Sequence, residues 1–546
     1  MKYTIGIDFG TLSGRAILAE LDTGRILADS VGVYRHGVIN DRLPATGEPL
    51  PEGWALQDPS DYEETLYAVI PAVIRKSGVD PRDIIGVGID FTSASILPVT
   101  AEGVPLCKLP EFQHEKHAYV KLWKHHAAHA QAAKIRELLS REAPGRLRTS
   151  MQTVSSESQI SKTLETLESA PEVYRKAARF LEAGDWVTFL LCGEMTQSIC
   201  ASGFKGLYDL TEGWLEERLL KKLHPELENY LSEKWSQPVL GMGRPAGTVT
   251  RAATERTGLP ENCVVASSFI DGHAAPAACG LRDDRTALLI LGTGSTHTLI
   301  SREFRPVDGL CAIVKDGIYP GYYAYEAGQC CVGDHYNWFA SGYLGEAAQA
   351  EAVGRTLQEY LTEKASMLSP GESGLLALDW WNGSRSPYMD SSLRGVLLGL
   401  SLRTRPEEIY RALIEATAFG ARTIHDAYQR AGFSISELRG TGGICGKNPL
   451  VLQIYADILN RPIRLAGLRY GSALGSAMYA AVAAGSPLGG FDNIFDAMDH
   501  MEDITDTVYE PAPAHRDCYE ALYGRYMELS RLFAVERPEL GRNYHG

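Results

Sequence analysis

The stretch YTIGIDFGTLSG, residues 3–14, carries the fold prediction for the whole chain. It begins as an apolar strand that ends in a Gly-Thr turn, and a second strand at 15–21 and a third from Arg25 follow. The chain therefore opens as an antiparallel meander. The first turn places backbone N–H groups and hydroxyls beside the carboxylate of Asp8, which is the combination that a metal-bound polyphosphate requires.

The same strand-turn-strand pattern recurs near the middle of the chain. Residues 286–291 are again an apolar strand, which ends in Gly292-Thr293-Gly294-Ser295, and 297–301 is again strand-like. Two such units, each opening about half of the chain, indicate an internal duplication of the kind found in actin-like ATPases. Gly-Thr turns are common between strands, so the repeat alone leaves this interpretation open.

The length of 546 residues exceeds what one hydrophobic core supports. We therefore predict an α/β protein with two actin-like (ribonuclease H-like) ATPase domains, each a mixed β-sheet flanked by helices. A boundary near 241–247 gives an N-terminal domain of residues 1–245 and a C-terminal domain of residues 246–546. The active site of such a protein is expected in the interdomain cleft.

Apolar spacing predicts further elements around these units. Residues 84–91 are expected to form a strand, and 114–139 and 156–168 are expected to form helices. The run Thr404-Arg-Pro-Glu407 has the pattern of a capping box, so a long amphipathic helix is expected from there to about Ala431. This helix should cover the second sheet.

The composition excludes several classes of protein. The chain is 45% hydrophobic and 22% charged, and its net charge of −15 disfavours binding to nucleic acid or to an anionic membrane. Ten cysteines without a CxxC pair fit a reducing compartment. The N-terminus lacks the pattern of a signal peptide, and the Ala-rich stretch 471–485 is shorter than a bilayer span. We therefore expect a cytoplasmic protein in which 471–485 is a buried helix.

Two rival nucleotide motifs fail on inspection. Residues 442–448 resemble a Walker A loop, but Thr441 stands where the first glycine belongs and Asn448 replaces Ser or Thr. As a dinucleotide fingerprint, 440–442 lacks the third glycine and the acidic residue on a following strand. A P-loop enzyme and a dehydrogenase are both disfavoured.

A group of histidines raises the question of a metal site. His125 and His129 are spaced i, i+4 within the predicted helix, and no HExxH motif is present because Ala118 takes the second histidine position after His114. No cysteine is close in sequence. Solvated or hydrogen-bonded histidines are the favoured interpretation for all five: His114, His117, His125, His126 and His129.

At this point the chain resembles a known family, the FGGY carbohydrate kinases. Residues 395–400, then seven residues, then 408–415 are similar to the C-terminal signature of that family, and both glycine turns occur in its order. Residues 440–443, followed by Asn448, are similar to its adenosine-binding segment. The resemblance covers essentially the whole chain and implies ATP and Mg2+, with Asp8 orienting the metal. The residues it implies for nucleotide binding are Gly10, Thr11, Ser13, Gly292, Thr293, Gly294, Gly442, Gly443 and Asn448.

The resemblance also implies which residue acts as the general base. Asp271, in the run Asp271-Gly-His-Ala-Ala, stands where the family has its catalytic aspartate. A carboxylate that follows an apolar strand and precedes small residues can project into a cleft and accept a hydroxyl proton. Without the resemblance, the favoured role would be an N-cap for a helix that begins near Ala274.

Six residues are implied for sugar binding. Lys205 could contact the sugar or a phosphate, whereas its ordinary alternative is a solvated lysine in a loop, and Glu326 has the same ambiguity. Asp185 could equally be a helix cap. The complete set is Ser93, Ala94, Trp123, Asp185, Lys205 and Glu326.

Within the family, segments 88–93, 122–128 and 202–206 point to L-ribulose as the acceptor and L-ribulose 5-phosphate as the product, in L-arabinose catabolism. The Gly-Gln-Met-His element usual in xylulose kinases is absent from the first segment. The expected partner is thus a small keto-sugar, without nucleic acid or membrane, and a homodimer is left open. The alternatives are another pentulose or polyol kinase, or a nucleotide-switch ATPase of the actin or chaperone type.

Overall fold

The computed structural model describes residues 1–149, 154–345, 349, 351–467 and 469–542. The chain forms two compact units, and each is assembled from separate segments. The first unit contains Met1–Gly280, Ala312–Ala324 and Tyr470–Asp503, and the second contains Leu281–Cys311, Tyr325–Arg469 and Ile504–Gly546.

The predicted boundary at residue 245 falls inside the first unit. The strand Pro245–Thr248 pairs with Val264–Ala266, which pairs in turn with Ile84–Phe91. These hydrogen bonds tie residues beyond 245 into the sheet that the N-terminus begins, so the chain leaves this unit only after Gly280.

The sheet of the first unit is mixed. Tyr3–Phe9 pairs antiparallel with Ser13–Glu20 and parallel with Ile84–Phe91, and the short strand Phe269–Ile270 also runs parallel to Ile84–Phe91. The predicted strands at 3–9 and 84–91 are present with the expected bounds. The order across the sheet is Pro245–Thr248, Val264–Ala266, Ile84–Phe91, Tyr3–Phe9, Ser13–Glu20, Ile26–Val33.

One face of this sheet is covered by the helix Pro59–Ser77. Asp58 caps its first turn by accepting a hydrogen bond of 2.9 Å from the Ser60 N–H, and Gly78 ends it in the left-handed conformation with φ of 69°. Tyr62 and Leu66 of this helix lie in one buried core with Ile5, Ile7 and Phe9 of the first strand. Each of these side chains is fully buried.

The helix Gly471–Ala484 packs within the first unit at unusually short range. A Cβ added at Gly6 would lie 1.7 Å from the carbonyl oxygen of Ala473, and one at Gly88 would lie 2.0 Å from that of Ser476. Only glycine permits the backbones to approach so closely. The buried helix expected at 471–485 is therefore present, and it lies against the central strands Tyr3–Phe9 and Ile84–Phe91.

The first unit also holds a smaller antiparallel sheet, with strands in the order Leu56–Gln57, Val120–Lys121, Ile96–Val99, Arg179–Glu182. The helix predicted at 114–139 is wrong in its first half. Residues 120–121 pair with two strands, so the helix begins only at His129 and runs to Glu142. Tertiary pairing has overridden the helical spacing of the sequence.

The second unit repeats the plan of the first. Thr286–Leu291 pairs antiparallel with Ser295–Ser301 and parallel with Glu437–Thr441, and Ile463–Ala466 continues the parallel direction. The order is Tyr323–Gln329, Ser295–Ser301, Thr286–Leu291, Glu437–Thr441, Ile463–Ala466, Ile504–Tyr509. The predicted fold class, mixed sheets flanked by helices in a duplicated arrangement, is confirmed.

The long helix Pro406–Arg430 packs in the second unit, against Pro449–Leu459 and Leu357–Ser366. Its capping box lies one residue later than predicted, because Arg405 occupies the N-cap and its N–H donates to the Glu408 carboxylate at 2.7 Å.

The remaining elements complete the two units. In the first unit the helices are Arg146–Thr149, Gln159–Ser169, Pro171–Lys176, Ala183–Cys192, Ile199–Lys205, Glu217–Leu223, Tyr230–Lys234, Arg251–Thr257, Asp271–Ala278 and Ile494–Met501, with strands Gln197–Ser198, Val239–Leu240 and Ala312–Lys315. In the second unit they are the helices Gly333–Gly342, Arg516–Arg531 and Pro538–Gly541 and the strands Leu376–Leu378 and Val396–Leu398.

Replacing Gly88 by Ala is expected to lower the free energy of unfolding by about 3 kcal/mol, because strand and helix would have to separate to admit the new Cβ. Gly524→Ala is the matched control: Gly524 lies in the helix Arg516–Arg531, and no described atom beyond that helix lies within 4 Å of an added Cβ there. Urea unfolding followed by circular dichroism measures both variants. Equal stability of Gly88→Ala and the wild type would contradict the close contact.

Candidate active site

Three carboxylates meet at one edge of the sheet in the first unit. Asp8 and Asp90 are paired residues on the parallel strands Tyr3–Phe9 and Ile84–Phe91. Asp271 follows the strand Phe269–Ile270, whose register matches Phe269 to Asp90. Because the carboxyl ends of parallel strands meet at the same edge, the topology itself brings these side chains together.

Burial shifts the pKa values of Asp8 and Asp90. Desolvation raises the pKa of Asp8, and the Arg15 guanidinium, with its Nε 3.4 Å from the carboxylate, opposes that rise. Asp90 is completely buried, and its desolvation together with the charge of Asp8 raises its pKa well above the usual range. The Ser476 hydroxyl donates to Asp90 at 2.7 Å. A cation bound at this edge of the sheet would favour the ionised form of both carboxyl groups.

Asp271 is the half-buried member of the group and begins the helix Asp271–Ala278. Its Oδ1 accepts a hydrogen bond of 2.7 Å from the Gly272 N–H. The helix begins three residues before the expected Ala274, and its N-cap position is Ile270. The alternative role of Asp271 as an N-cap is therefore wrong, although a carboxylate in the first turn still suits the positive end of the helix.

The first glycine turn is bound to its surroundings through Thr11. Gly10 and Ser13 close the turn with an N–H to carbonyl bond of 3.0 Å, and the Gln57 amide donates to the Thr11 carbonyl at 2.7 Å. The half-buried indole of Trp123 donates to the Thr11 hydroxyl at 3.2 Å. Trp123, predicted near the sugar, thereby touches the predicted phosphate turn.

Lys205 is held inside the first unit. It is the last residue of the helix Ile199–Lys205, only 8% exposed, and its Nζ lies 3.1 Å from a carboxylate oxygen of Glu157. The alternative of a solvated lysine in a loop is wrong. A buried, paired ammonium is the kind of group that functional sites use to meet a polar substrate.

Asp185 has both carboxylate oxygens engaged within the first unit. Ser268 donates its hydroxyl to Oδ1 at 2.6 Å, and the Ser198 N–H donates to Oδ2 at 3.4 Å. Ser198 caps the helix that ends at Lys205, and Ser268 precedes the strand that leads to Asp271. Asp185 therefore links these two segments from inside, and its direct contact with a sugar stays a prediction.

The second unit places its glycine turns at one sheet edge. Gly292 N–H bonds to the Gly294 carbonyl at 2.9 Å, and the Ile444 N–H reaches the Leu291 carbonyl at 3.2 Å. Gly442 has φ of 95°, and a Cβ there would lie 2.5 Å from the Leu291 oxygen. Both segments follow the parallel strands Thr286–Leu291 and Glu437–Thr441, so they are adjacent for the same topological reason as the carboxylates.

Asn448 and Glu326 also lie in the second unit. Asn448 caps the helix Pro449–Leu459 by accepting from the Val451 N–H at 3.2 Å, and its amide donates to the Thr362 hydroxyl at 3.1 Å. Glu326 lies on the strand Tyr323–Gln329 and is 7% exposed. Gly443, by contrast, would have open space around an added Cβ among the described residues.

The histidines of residues 114–129 do not share a helical face, because His125 precedes the helix His129–Glu142. His125 is fully buried and its Nε2 lies 2.9 Å from Glu165, while burial lowers its pKa to about 4. His126 bonds to the Ser156 hydroxyl at 3.2 Å. Across the part of the chain that the structure describes, no group of three or more His, Cys, Asp or Glu side chains is arranged to hold a metal ion.

Sequence reasoning missed Asp90, Arg15 and Ser476. Asp90 carried a usable signal, since it is a charged residue near the end of an otherwise apolar strand whose eight residues are all buried. Nothing in the sequence pointed to Ser476, which lies nearly four hundred residues away from Asp90 in the chain and reaches it only through helix packing.

The duplicated α/β fold, with carboxylates at the edge of one sheet and glycine turns at the edge of the other, suits a protein that binds ATP together with a divalent cation. The model of the FGGY family of carbohydrate kinases, N-terminal domain, matches residues 3–278, and that of its C-terminal domain matches residues 287–484. The chain belongs to the FGGY family of carbohydrate kinases, which use ATP as the phosphoryl donor.

Relatives of similar sequence support this assignment, and solved structures share the fold. The chain is 43% identical to ribulokinase from Bacillus licheniformis, over 97% of each chain. It is 44% identical to ribulokinase from Halalkalibacterium halodurans, over 97% of this chain and 95% of the relative. Xylulose kinase from Rhodospirillum rubrum has the same fold, with a TM-score of 0.79 and 23% identity over 97% of this chain and 99% of that chain.

No helix in the described ranges of the chain is long and apolar enough to cross a membrane.

Asp185→Asn is expected to flatten the dependence of stability on pH. Burial raises the pKa of Asp185 from 3.8 to about 7 in the folded protein, so between these values the folded state keeps a proton that the unfolded chain releases. Stability should therefore fall as the pH rises through this window, by at most about 1.4 kcal/mol per pH unit, and the asparagine variant should lose that slope. Urea unfolding at pH 5, 6 and 7 measures it, with exposed Asp80→Asn as control. Parallel profiles for Asp185→Asn and the wild type would contradict this assignment.

Proposed function

We propose that this chain transfers the γ-phosphoryl group of ATP to the terminal hydroxyl of L-ribulose, giving L-ribulose 5-phosphate in L-arabinose catabolism. The observation that carries the proposal is the identity of 43 to 44% to ribulokinases over nearly the full length of both chains. The proposed setting is the cytoplasm, because ten cysteines without a CxxC pair fit a reducing compartment.

Asp271 is proposed as the general base. Its half-buried position at the start of a helix leaves it accessible, whereas Asp90 beside it is completely buried. A base has to come within hydrogen-bond reach of the hydroxyl that it deprotonates, so the accessible carboxylate of the pair suits this role. Positioning and charge stabilisation are expected to supply most of the rate, as in other phosphoryl transfers.

The sugar is proposed to lie against the first unit's segments Ser93-Ala94, Trp123 and Lys205, and the role of Glu326 in sugar binding stays a prediction. Support comes from the hydrogen bond between Trp123 and Thr11, which joins a predicted sugar contact to a predicted phosphate turn at 3.2 Å. The backbone of the turns around Gly10, Gly292 and Gly442 is proposed to bind the nucleotide.

Magnesium fits the carboxylate edge of the first unit. Mg2+ usually takes one or two protein carboxylates and fills its other positions with water and substrate phosphates, so a dedicated cluster of protein ligands is not needed. Asp8 would hold the ion through water, and the charge of the ion would favour the ionised form of Asp90 behind it. When bound, the ion neutralises charge on the transferred phosphoryl group.

The sugar preference is tested by coupled ADP release with L-ribulose, D-ribulose, D-xylulose, ribitol, glycerol and no sugar. We expect kcat/KM to be highest for L-ribulose, because the similarity to ribulokinases extends over 97% of the chain. A clear lead by another sugar would reassign the substrate within the family. ATP turnover that ignores every sugar would favour a nucleotide-switch ATPase instead.

Asp271→Asn is expected to lower kcat about a thousandfold while ATP still binds, because the amide cannot accept the hydroxyl proton. Asp83→Asn is the matched control, since Asp83 pairs with Lys2 at 3.0 Å on the surface of the same unit. Single-turnover kinetics give the rate of phosphoryl transfer, and calorimetry gives the affinity for ATP. Near-normal turnover of Asp271→Asn would refute its role as base.

A further inference from the structure

The turn after the strand Ile84–Phe91 has a strained backbone. Ala94 has φ of 53°, in the left-handed region that residues with a side chain seldom occupy. Its side chain is completely buried. Such a conformation persists only where the surroundings hold it, and Ser93-Ala94 is also a segment proposed to contact the sugar.

Two buried charged side chains hold the peptide group between Ala94 and Ser95 from opposite ends. The Lys162 ammonium donates to the Ala94 carbonyl at 2.5 Å, and the Ser95 N–H donates to the Glu182 carboxylate at 2.9 Å. A peptide plane bonded at both its oxygen and its N–H cannot rotate without breaking a charge-assisted hydrogen bond. The orientation of this one peptide group is therefore fixed.

Lys162 holds a second segment at the same time. Its Nζ lies 2.6 Å from the carbonyl oxygen of Leu122, the residue before Trp123. Trp123 in turn reaches Thr11 of the first glycine turn. One ammonium group thus fixes the backbone beside two of the proposed sugar contacts.

The supporting helix Gln159–Ser169 is itself almost entirely buried, and it places Gln159 and Lys162 one turn apart. The Gln159 amide donates to the second oxygen of Glu182 at 2.6 Å. Both carboxylate oxygens of Glu182 are therefore used, one by the helix and one by the turn.

The buried charged groups of Lys162 and Glu182 affect each other. Lys162 is 1% exposed and Glu182 is 5% exposed. Burial lowers the pKa of Lys162 to about 7, and the nearby carboxylates of Glu182 and Glu157 oppose that fall. A buried ammonium that donates to carbonyl oxygens and lies near a carboxylate has its hydrogen bonds made and its charge compensated. Either charge alone would be an uncompensated buried charge.

We propose that Lys162 and Glu182 are positioning residues for the sugar kinase reaction, which fix the Ala94–Ser95 peptide so that the sugar meets a preformed surface. This role rests on the proposed function. A residue that only stabilised the fold would change the amount of folded enzyme, whereas a positioning residue changes the affinity of every folded molecule for the sugar.

The test compares Lys162→Met with Lys134→Met. Methionine keeps an unbranched stem and removes the donor, and Lys134 is a surface lysine paired with Glu168 at 2.6 Å. Steady-state kinetics are measured with the sugar that the wild type prefers. We expect Lys162→Met to raise the KM for the sugar at least about tenfold and to leave the KM for ATP within about twofold. Lys134→Met should change neither.

The KM for the sugar is the decisive readout, because partial unfolding lowers the maximal rate and leaves KM unchanged. A soluble Lys162→Met enzyme with a sugar KM within about twofold of the wild type overturns the proposal, and so does an equal rise in both KM values. If Lys162→Met is insoluble, Lys162→Arg replaces it. Arginine keeps the charge beside Glu182, but its longer planar head cannot occupy the ammonium position between the two carbonyl oxygens. We expect a sugar KM raised about fivefold in this variant, and an unchanged value overturns the proposal.

The sugar panel on the wild type separates this proposal from the function on which it rests. If the wild type prefers another sugar, Lys162→Met is measured with that sugar and the test is unaffected. If no sugar stimulates the wild type, the proposed function fails and the positioning role fails with it. If a sugar is phosphorylated and the variants leave its KM unchanged, only the positioning role fails.

Discussion

The rest of the first unit depends on a backbone contact between a helix and a sheet. The strands Tyr3–Phe9 and Ile84–Phe91 carry glycines on the face that meets the helix Gly471–Ala484, and any Cβ at Gly6 or Gly88 would overlap a helix carbonyl oxygen. The contact therefore excludes side chains at those positions. It also brings Ser476 within 2.7 Å of Asp90, so the same packing that fixes the fold fixes a partner for the central carboxylate.

The two units use one topology for two chemistries. In each, an antiparallel hairpin is followed by a parallel strand, and the functional segments lie at the carboxyl ends of these parallel neighbours. The first unit presents carboxylates there, which suit a cation and a proton transfer. The second presents glycine turns, a type of turn in which backbone N–H groups can bind phosphate oxygens. A duplicated scaffold can thus diverge in chemistry while its sheets stay alike.

The predicted site residues lie beside buried polar contacts, several of which involve charged side chains. Asp185 connects the segments that carry Lys205 and Asp271, and Lys162 connects two further segments. Phosphoryl transfer asks the protein mainly to position its reactants, so side chains that orient the backbone contribute as directly as those that touch substrate. Buried charge inside the first unit is therefore expected to be functional as well as structural.

The sequence by itself determined the strands at 3–9, 84–91 and 286–291, because short apolar runs bounded by turn-forming residues favour buried strands. It also determined the family, since the signature segments lie close together in the chain. Only the tertiary structure decided that residues 114–128 form no α-helix and that Lys162 is buried, because strand pairing and carbonyl contacts depend on residues far away in the chain. A lysine within a helical pattern is ordinarily solvated. No local pattern distinguishes a lysine whose ammonium donates a hydrogen bond to a peptide group far away in the chain.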